Sequence, residues 1–254
     1  MKKITMLVYL LGASALVSQS AMASGLKVRG GATNNDYSTD FSPAASTGNP
    51  YAKSTFSGTA FGATWLIDDS MYIDYAMSSG SGTRDSKLTN GTTFSTNLTR
   101  TDNAIVFGNT SVGTSGTATN VYFGWKTGET KMDAPSAAIV LNPTSRNFST
   151  SGFIFGGGVG IPAAGGSLGL SLGMGLMSGK YDTVSTTTTV KNAADMALGF
   201  SLGIGYSYPF TPNFGIAADY KYNSYNYVFD SGLTTEWSLN EKLSTTGVSL
   251  WAKF

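Results

Sequence analysis

The chain has no cysteine and no histidine, and only 12% of its residues are charged. Past its first two dozen residues, no stretch approaches the 18 or so consecutive apolar residues that a membrane-spanning helix needs. Each of these absences closes a class of function. Without cysteine there is no disulfide framework, no thiol nucleophile and no thiolate metal site. Without histidine, the Ser–His and Cys–His nucleophile pairs, the usual zinc sites and the commonest general base are all excluded. We therefore expect neither a catalytic site nor a cofactor or metal site. Charge of one sign is also missing. Acidic and basic residues number 15 and 16 across 254 residues, so neither nucleic acid nor an anionic surface is suggested as a partner.

The amino terminus reads as a secretory signal. A basic "MKK" precedes the apolar "ITMLVYLLGASALV", and "SQSAMA" ends with Ala21 and Ala23 in the A-x-A arrangement. Cleavage after Ala23 leaves residues 24–254 as a single domain. Loss of Lys2 and Lys3 then brings the basic residues just below the acidic ones.

What is abundant is glycine, 32 residues of it, set within strict alternation. In "SLGLSLGMGLM" (167–177), Leu168, Leu170, Leu172, Met174 and Leu176 oppose Gly169, Ser171, Gly173 and Gly175. "MALGFSLGIGYSYPF" (196–210) repeats the pattern, and "MYIDYAM", "VYFGWK" and "NFGIAADYKY" follow the same period of two. No segment sustains a 3.6-residue stripe, so the chain is all-β. About ten strands are expected, at 25–34, 54–67, 71–80, 98–108, 118–128, 150–161, 166–178, 193–208, 213–228 and 241–254. Mostly short connections (after Ile67, 109–117, after Ile161, after Tyr208) alternate with longer ones rich in Ser, Thr, Asn and Gly (35–53, 81–97, 129–149, 179–192, 229–240). That is the layout of an up-and-down meander with both termini on the short-turn side.

A water-facing sandwich would need more charge on its outer face than Gly, Ala and Ser supply. If the apolar face meets lipid instead, the sheet must close, because an open edge in hydrocarbon leaves backbone groups unpaired. The expected fold is therefore a closed antiparallel transmembrane β-barrel. Trp65, Tyr206 and Tyr208 flank short turns, while Trp125, Tyr220 and Tyr222 sit toward long-loop ends, as two interfacial aromatic girdles would.

The last strand, "TGVSLWAKF", places Val248, Leu250 and Phe254 on the lipid-facing parity and ends on Phe254. It resembles the assembly signal of Gram-negative outer-membrane β-barrel proteins, although Ala252 stands where a larger residue is usual. "LKVRGGAT" (26–33) and "FGATWLIDDSMYIDYAM" (61–77) are similar to the first strands of small OmpA- and OmpW-type barrels, which usually have eight strands, the alternative count here. The resemblance implies residence in the outer membrane, with its bilayer, lipopolysaccharide and the barrel assembly machinery as partners. Omptin-type proteases share the strand count of ten, but their chemistry uses a His that this chain lacks.

Two further motifs have plain readings. Gly158, Gly160 and Ala163 approach a dinucleotide fingerprint, but Pro162 and a Gly pair lead straight into another strand, so a turn is expected. Asp68 and Asp69 form a carboxylate pair in a short turn, where Asp is a good turn residue.

On the inward parity lie Lys27, Arg29, Asp74, Arg100, Asp102, Lys126, Asp219, Lys221 and Lys253. They could pair as a network that plugs the barrel, or line a narrow aqueous path and set its ion selectivity. The glycine-rich wall opposite them could leave a void. It favours a small porin-like channel for ions or small solutes, with Lys126, Asp74, Asp219 and Lys221 setting selectivity. The alternative is a structural or surface-binding barrel that acts through its long external loops. By likeness to OmpW-type barrels, lateral passage of a small apolar solute is a third possibility.

Overall fold

The computed structural model describes residues 25–42, 51–87, 93–133, 145–184, 189–229 and 237–254. The expected signal, with Ala21 and Ala23, lies outside these residues. Ten strands follow one another in chain order: β1 (Gly25–Ser42), β2 (Tyr51–Leu66), β3 (Met71–Lys87), β4 (Thr93–Val112), β5 (Ala118–Asp133), β6 (Ser145–Ala163), β7 (Gly166–Val184), β8 (Thr189–Thr211), β9 (Phe214–Phe229) and β10 (Trp237–Lys253). Each pairs antiparallel with its chain neighbours. β1 pairs with β10, Lys27 opposite Lys253, so the sheet closes into a barrel with no free edge. Backbone bonds between Leu26 and Phe254 complete that seam.

All ten expected strands are present, and most run well past their expected ends at the long-loop side. The reason lies in the outer surface. Near the short turns the outward row is apolar: Val121, Phe123 and Trp125 on β5, and Leu170, Leu172, Met174 and Leu176 on β7. Further along the same strands it becomes polar, with Thr127, Glu129 and Lys131 on β5 and Ser178 and Lys180 on β7. The ladder continues where the hydrophobic signal stops, so alternation of hydrophobicity marks only the part of each strand inside the apolar belt. Leu172, at the centre of that belt, is 59% exposed, which for a buried-core strand would be costly and for a lipid-facing one is expected.

The short turns have local causes. Between β2 and β3, Asp68 accepts bonds from the Ser70 amide (2.7 Å), the Ser70 hydroxyl (2.9 Å) and the Met71 amide (2.7 Å). Those donors hold its carboxyl below the usual carboxylate range. Between β6 and β7 the two turn residues, Ala164 (φ 46°) and Gly165 (φ 77°), are both left-handed, as a tight hairpin of matching twist requires. Gly158, Gly160 and Ala163 belong to β6 itself, so no helix follows that glycine run.

Candidate functional site

Every charged residue expected on the inward parity faces the lumen. Arg29, Asp74, Arg100, Asp102, Lys126, Lys221 and Lys253 are buried, and Lys27 and Asp219 are partly so. The structure brings most of them together in two groups.

The first lies toward the short turns. Arg29 on β1 donates both terminal nitrogens to Asp74 on β3, each at 2.7 Å, and a third bond to the Thr64 hydroxyl at 2.9 Å. Thr64 in turn donates to Asp74 at 2.5 Å. The guanidinium lies over Gly62, where a Cβ would collide with it, so this glycine leaves room for the ion pair. Lys27 sits over the Trp251 ring, 4.6 Å from its centroid.

The second group crosses the barrel. Arg100 on β4 holds Asp102 bidentately, at 2.6 and 2.9 Å. It also reaches Thr130 at 2.9 Å and Glu241, far around the wall on β10, at 2.5 Å. Lys126 stands 3.7 Å from Asp102 and 5.2 Å from the Tyr225 ring centroid. The four charged side chains cancel, and all are nearly sealed from solvent. Such a group is stable inside a protein only because each charge is matched and hydrogen-bonded.

Large side chains occupy the space beside several glycines of this wall. The Tyr122 hydroxyl occupies the space next to Gly156 and Gly173, and the Tyr225 ring the space next to Gly175 and Gly199. Tyr227 does the same at Gly179 and Trp251 at Gly215. Small residues on one strand receive large rings from the strands beside it, Tyr122 pairing with Gly156, Tyr225 with Gly199 and Trp251 with Gly215, which is how a narrow barrel fills its interior. Ser201, on the same wall, is buried accordingly.

Several participants escape a reading of the sequence. Glu241 stood at the edge of its expected strand, although it shares the parity of Lys253 and could be found by counting back in twos. Arg84 and Arg146 fell in stretches expected to be loops; both continue inward rows, Arg84 in the row of Asp74 and Arg146 in the row of Phe148. Tyr37, Tyr181, Tyr225 and Tyr227 carry no sequence signal beyond inward parity.

The outer wall holds the remaining expected residues. Trp65 and Tyr208 are exposed near the short turns. Tyr206 there donates to the carbonyls of Ala163 and Ala164, at 3.1 and 2.9 Å. Trp125, Tyr220 and Tyr222 lie mid-strand, short of the long loops, at the upper limit of the apolar belt. Trp125 packs edge-on against Phe153, and the Tyr220 hydroxyl reaches the Ser244 hydroxyl above it at 3.3 Å. Val248, Leu250 and Phe254 face outward on β10. Just beyond the belt on β4–β7, Asn103, Thr127, Glu129, Ser151, Ser178 and Lys180 line a shallow polar recess of about 380 Å³.

No protein-family model and no curated protein sequence matches the chain. Among solved structures, its fold is similar to that of the outer membrane protease OmpT from Escherichia coli, with a TM-score of 0.58 at 10% identity, covering 94% of this chain and 100% of that one. It is also aligned with the outer membrane protein OprG from Pseudomonas aeruginosa (TM-score 0.47, 12% identity, 91% and 96% covered). A further alignment is with the translocator domain of the autotransporter NalP from Neisseria meningitidis (TM-score 0.47, 13% identity, 94% and 91% covered). At these identities it is architecture that is shared: the chain has the fold of an outer-membrane β-barrel.

Proposed function

We propose that this protein resides in the outer membrane as a closed, non-conducting and non-catalytic barrel that acts at the cell surface, through the end carrying its long connections. One observation carries the reading. The Arg100–Asp102–Glu241–Lys126 group crosses the lumen, and tyrosine side chains occupy the space beside Gly156, Gly173, Gly175, Gly179 and Gly199, which supports a lumen blocked by matched charges and aromatics. A selectivity filter needs charges that an ion can approach and leave; here the charges are spent on one another.

In this reading Lys126, Asp74, Asp219 and Lys221 hold the interior together instead of selecting ions. The apolar belt meets the bilayer, Trp65, Tyr206 and Tyr208 mark its inner interface, and Trp125, Tyr220 and Tyr222 its outer one. The polar recess above Trp125 and Phe153 then stands at headgroup height, where lipopolysaccharide would contact the wall. Val248, Leu250 and Phe254 present the terminal strand to the assembly machinery.

Planar-bilayer recording on refolded protein tests this directly. The expected result is an electrically silent bilayer with protein shown to be inserted. Reproducible conductance steps would overturn the closed reading and favour a small channel for ions or solutes, with the lumen charges as its selectivity residues.

A further inference from the structure

Above the cross-barrel ionic group, the inner wall carries buried rings, Tyr37 against Phe56 and Phe148 against Tyr181, with the half-buried Trp237 edge-on to Tyr181. Two arginines lie near these rings. Arg84 on β3 donates to the Met132 sulfur at 3.6 Å, and Met132 on β5 is in backbone register with Arg146 on β6. Arg84 thus reaches the residue that pairs with Arg146, and the charges of the two arginines bear on each other. Arg146 is hydrogen-bonded to the Tyr181 hydroxyl.

The chemistry around them differs from that deeper in the barrel. Arg29 and Arg100 each hold a carboxylate bidentately. No described carboxylate forms an ion pair with Arg84 or Arg146. Arg84 has instead a thioether as its hydrogen-bonding partner among the described residues, a weak acceptor for a charged donor. Both its partial burial and the neighbouring charge of Arg146 act against its protonated form, as for a cation short of a counter-ion. Two neighbouring guanidinium groups with no carboxylate ion pair among the described residues favour a bound anion.

We infer that Arg84 and Arg146 form an oxyanion site at the outer mouth of the lumen, which takes a phosphate or sulfate ester group carried by an external ligand. Two planar forks, each with several N–H donors, match a tetrahedral group bearing three or more acceptor oxygens better than they match a single carboxylate. Partial exclusion of water strengthens the attraction relative to a surface pair. The Tyr181 hydroxyl adds a polar contact, and the half-buried Trp237 ring, stacked on the buried Phe229 at 4.1 Å, stands beside Tyr181. This inference deepens the surface-binding reading above by naming the ligand chemistry.

The test uses the full-length barrel refolded in detergent micelles, with fluorescent dextran sulfate, neutral dextran and inositol hexakisphosphate as probes at low salt. Wild-type protein should bind both esters and not neutral dextran. Arg84→Gln/Arg146→Gln should weaken ester binding at least tenfold. Lys53→Gln/Lys191→Gln removes the same charge from exposed positions and should change it less than twofold. If only dextran sulfate binds, the ligand is a sulfated polymer; if only inositol hexakisphosphate binds, it is a phosphate ester. Folding of each variant is checked by its heat-dependent mobility on gels. Should the Gln pair fail to fold, Arg84→Lys/Arg146→Lys keeps the charge but loses the forks, and should still weaken binding several-fold. Absence of ester binding in the wild type, equal loss in the lysine control, or undiminished binding in both arginine variants would overturn the site. Bilayer recording on the same preparation separates the two proposals, since conductance would end the closed-lumen reading without touching the arginine comparison.

Discussion

Asp74 is 2% exposed and receives two guanidinium bonds, so its removal strands Arg29 inside the barrel beside Lys27. Breaking a buried pair from one side costs about 3–5 kcal/mol, whereas replacing both partners with well-packed apolar residues is often close to neutral. Asp74→Ala should lower stability by about that amount in urea titrations of vesicle-inserted protein, and Arg29→Met/Asp74→Leu should recover most of it; a double variant as unstable as the single would show that the pair does more than compensate charge. The two faces of one strand pair give a second residue-scale test. Leu172, outward at the centre of the apolar belt, should lose about 2–4 kcal/mol on replacement by Arg. A void beside the glycine-rich strands would let Ser201 tolerate Arg. In the structure Ser201 is 4% exposed and Gly199 in its row meets the Tyr225 ring, so Ser201→Arg should also destabilise the barrel, through overpacking and an unmatched buried charge. Stability unchanged in the Ser201 variant would mean that the lumen has room after all.

A strand's inner and outer rows carry different information, and only one was easy to read. Where lipid is the solvent, Val121, Phe123 and Trp125 alternate against Tyr122, Gly124 and Lys126, and both parity and register follow from the sequence. Beyond the belt, water lies outside and the filled lumen inside. Thr127, Glu129 and Lys131 then face out with no hydrophobic contrast to reveal the strand, so β5 looked complete near residue 128 and Trp125 looked terminal. β4 alternates poorly in sequence for a related reason: its inward row holds Arg100, Asp102 and Ala104, whose logic is ion pairing and appears only when Thr130 and Glu241 are brought beside them. The turns were legible because their chemistry is local, as with Asp68 or Gly165. A bromolipid quencher should reach a fluorophore on Cys introduced at Phe123 and not one at Lys131, although both belong to β5 and share its outer face; equal quenching would mean that the belt extends to the strand's end. For the turn after β2, the hydrogen bonds to Asp68 lower its folded-state pKa. Its support is therefore fully present above the unfolded value and is lost as pH falls through the lowered one. Carbon NMR of that carboxyl should show titration below the usual carboxylate range, and a normal or raised midpoint would contradict the bonded turn.

At the scale of the whole barrel, the question set by the glycine-rich strands is what occupies the space they leave. Ten strands enclose more volume than eight, and rows of Gly on β6–β8 would widen the interior further if nothing crossed it. The answer comes from other strands. Tyr122 on β5 and Tyr225 on β9 each reach two strands along the wall, to Gly173 and Gly175 on β7, while Arg100 spans the interior to reach Glu241. No local pattern announces such pairings, because they join residues scores of positions apart, and the same Gly rows would serve an open channel equally well. In the proposed closed reading, the seal depends on a few large side chains on an otherwise small-residue wall, and it can be undone without removing a charge. Tyr122→Ala/Tyr225→Ala should leave the ion pairs intact and open a path along Gly173, Gly175 and Gly199. We expect this variant to give conductance steps in planar bilayers where wild type is silent, with a loss of about 3–5 kcal/mol or more in stability from two emptied aromatic sites. If the variant inserts and stays silent, the seal lies in the Arg100 group; adding Arg100→Leu/Asp102→Leu/Glu241→Leu/Lys126→Leu should then decide between a second barrier and a barrel that collapses on its own vacancies. Conductance from the tyrosine variant alone would place the whole seal in two rings, each lodged where a nearby strand carries no side chain.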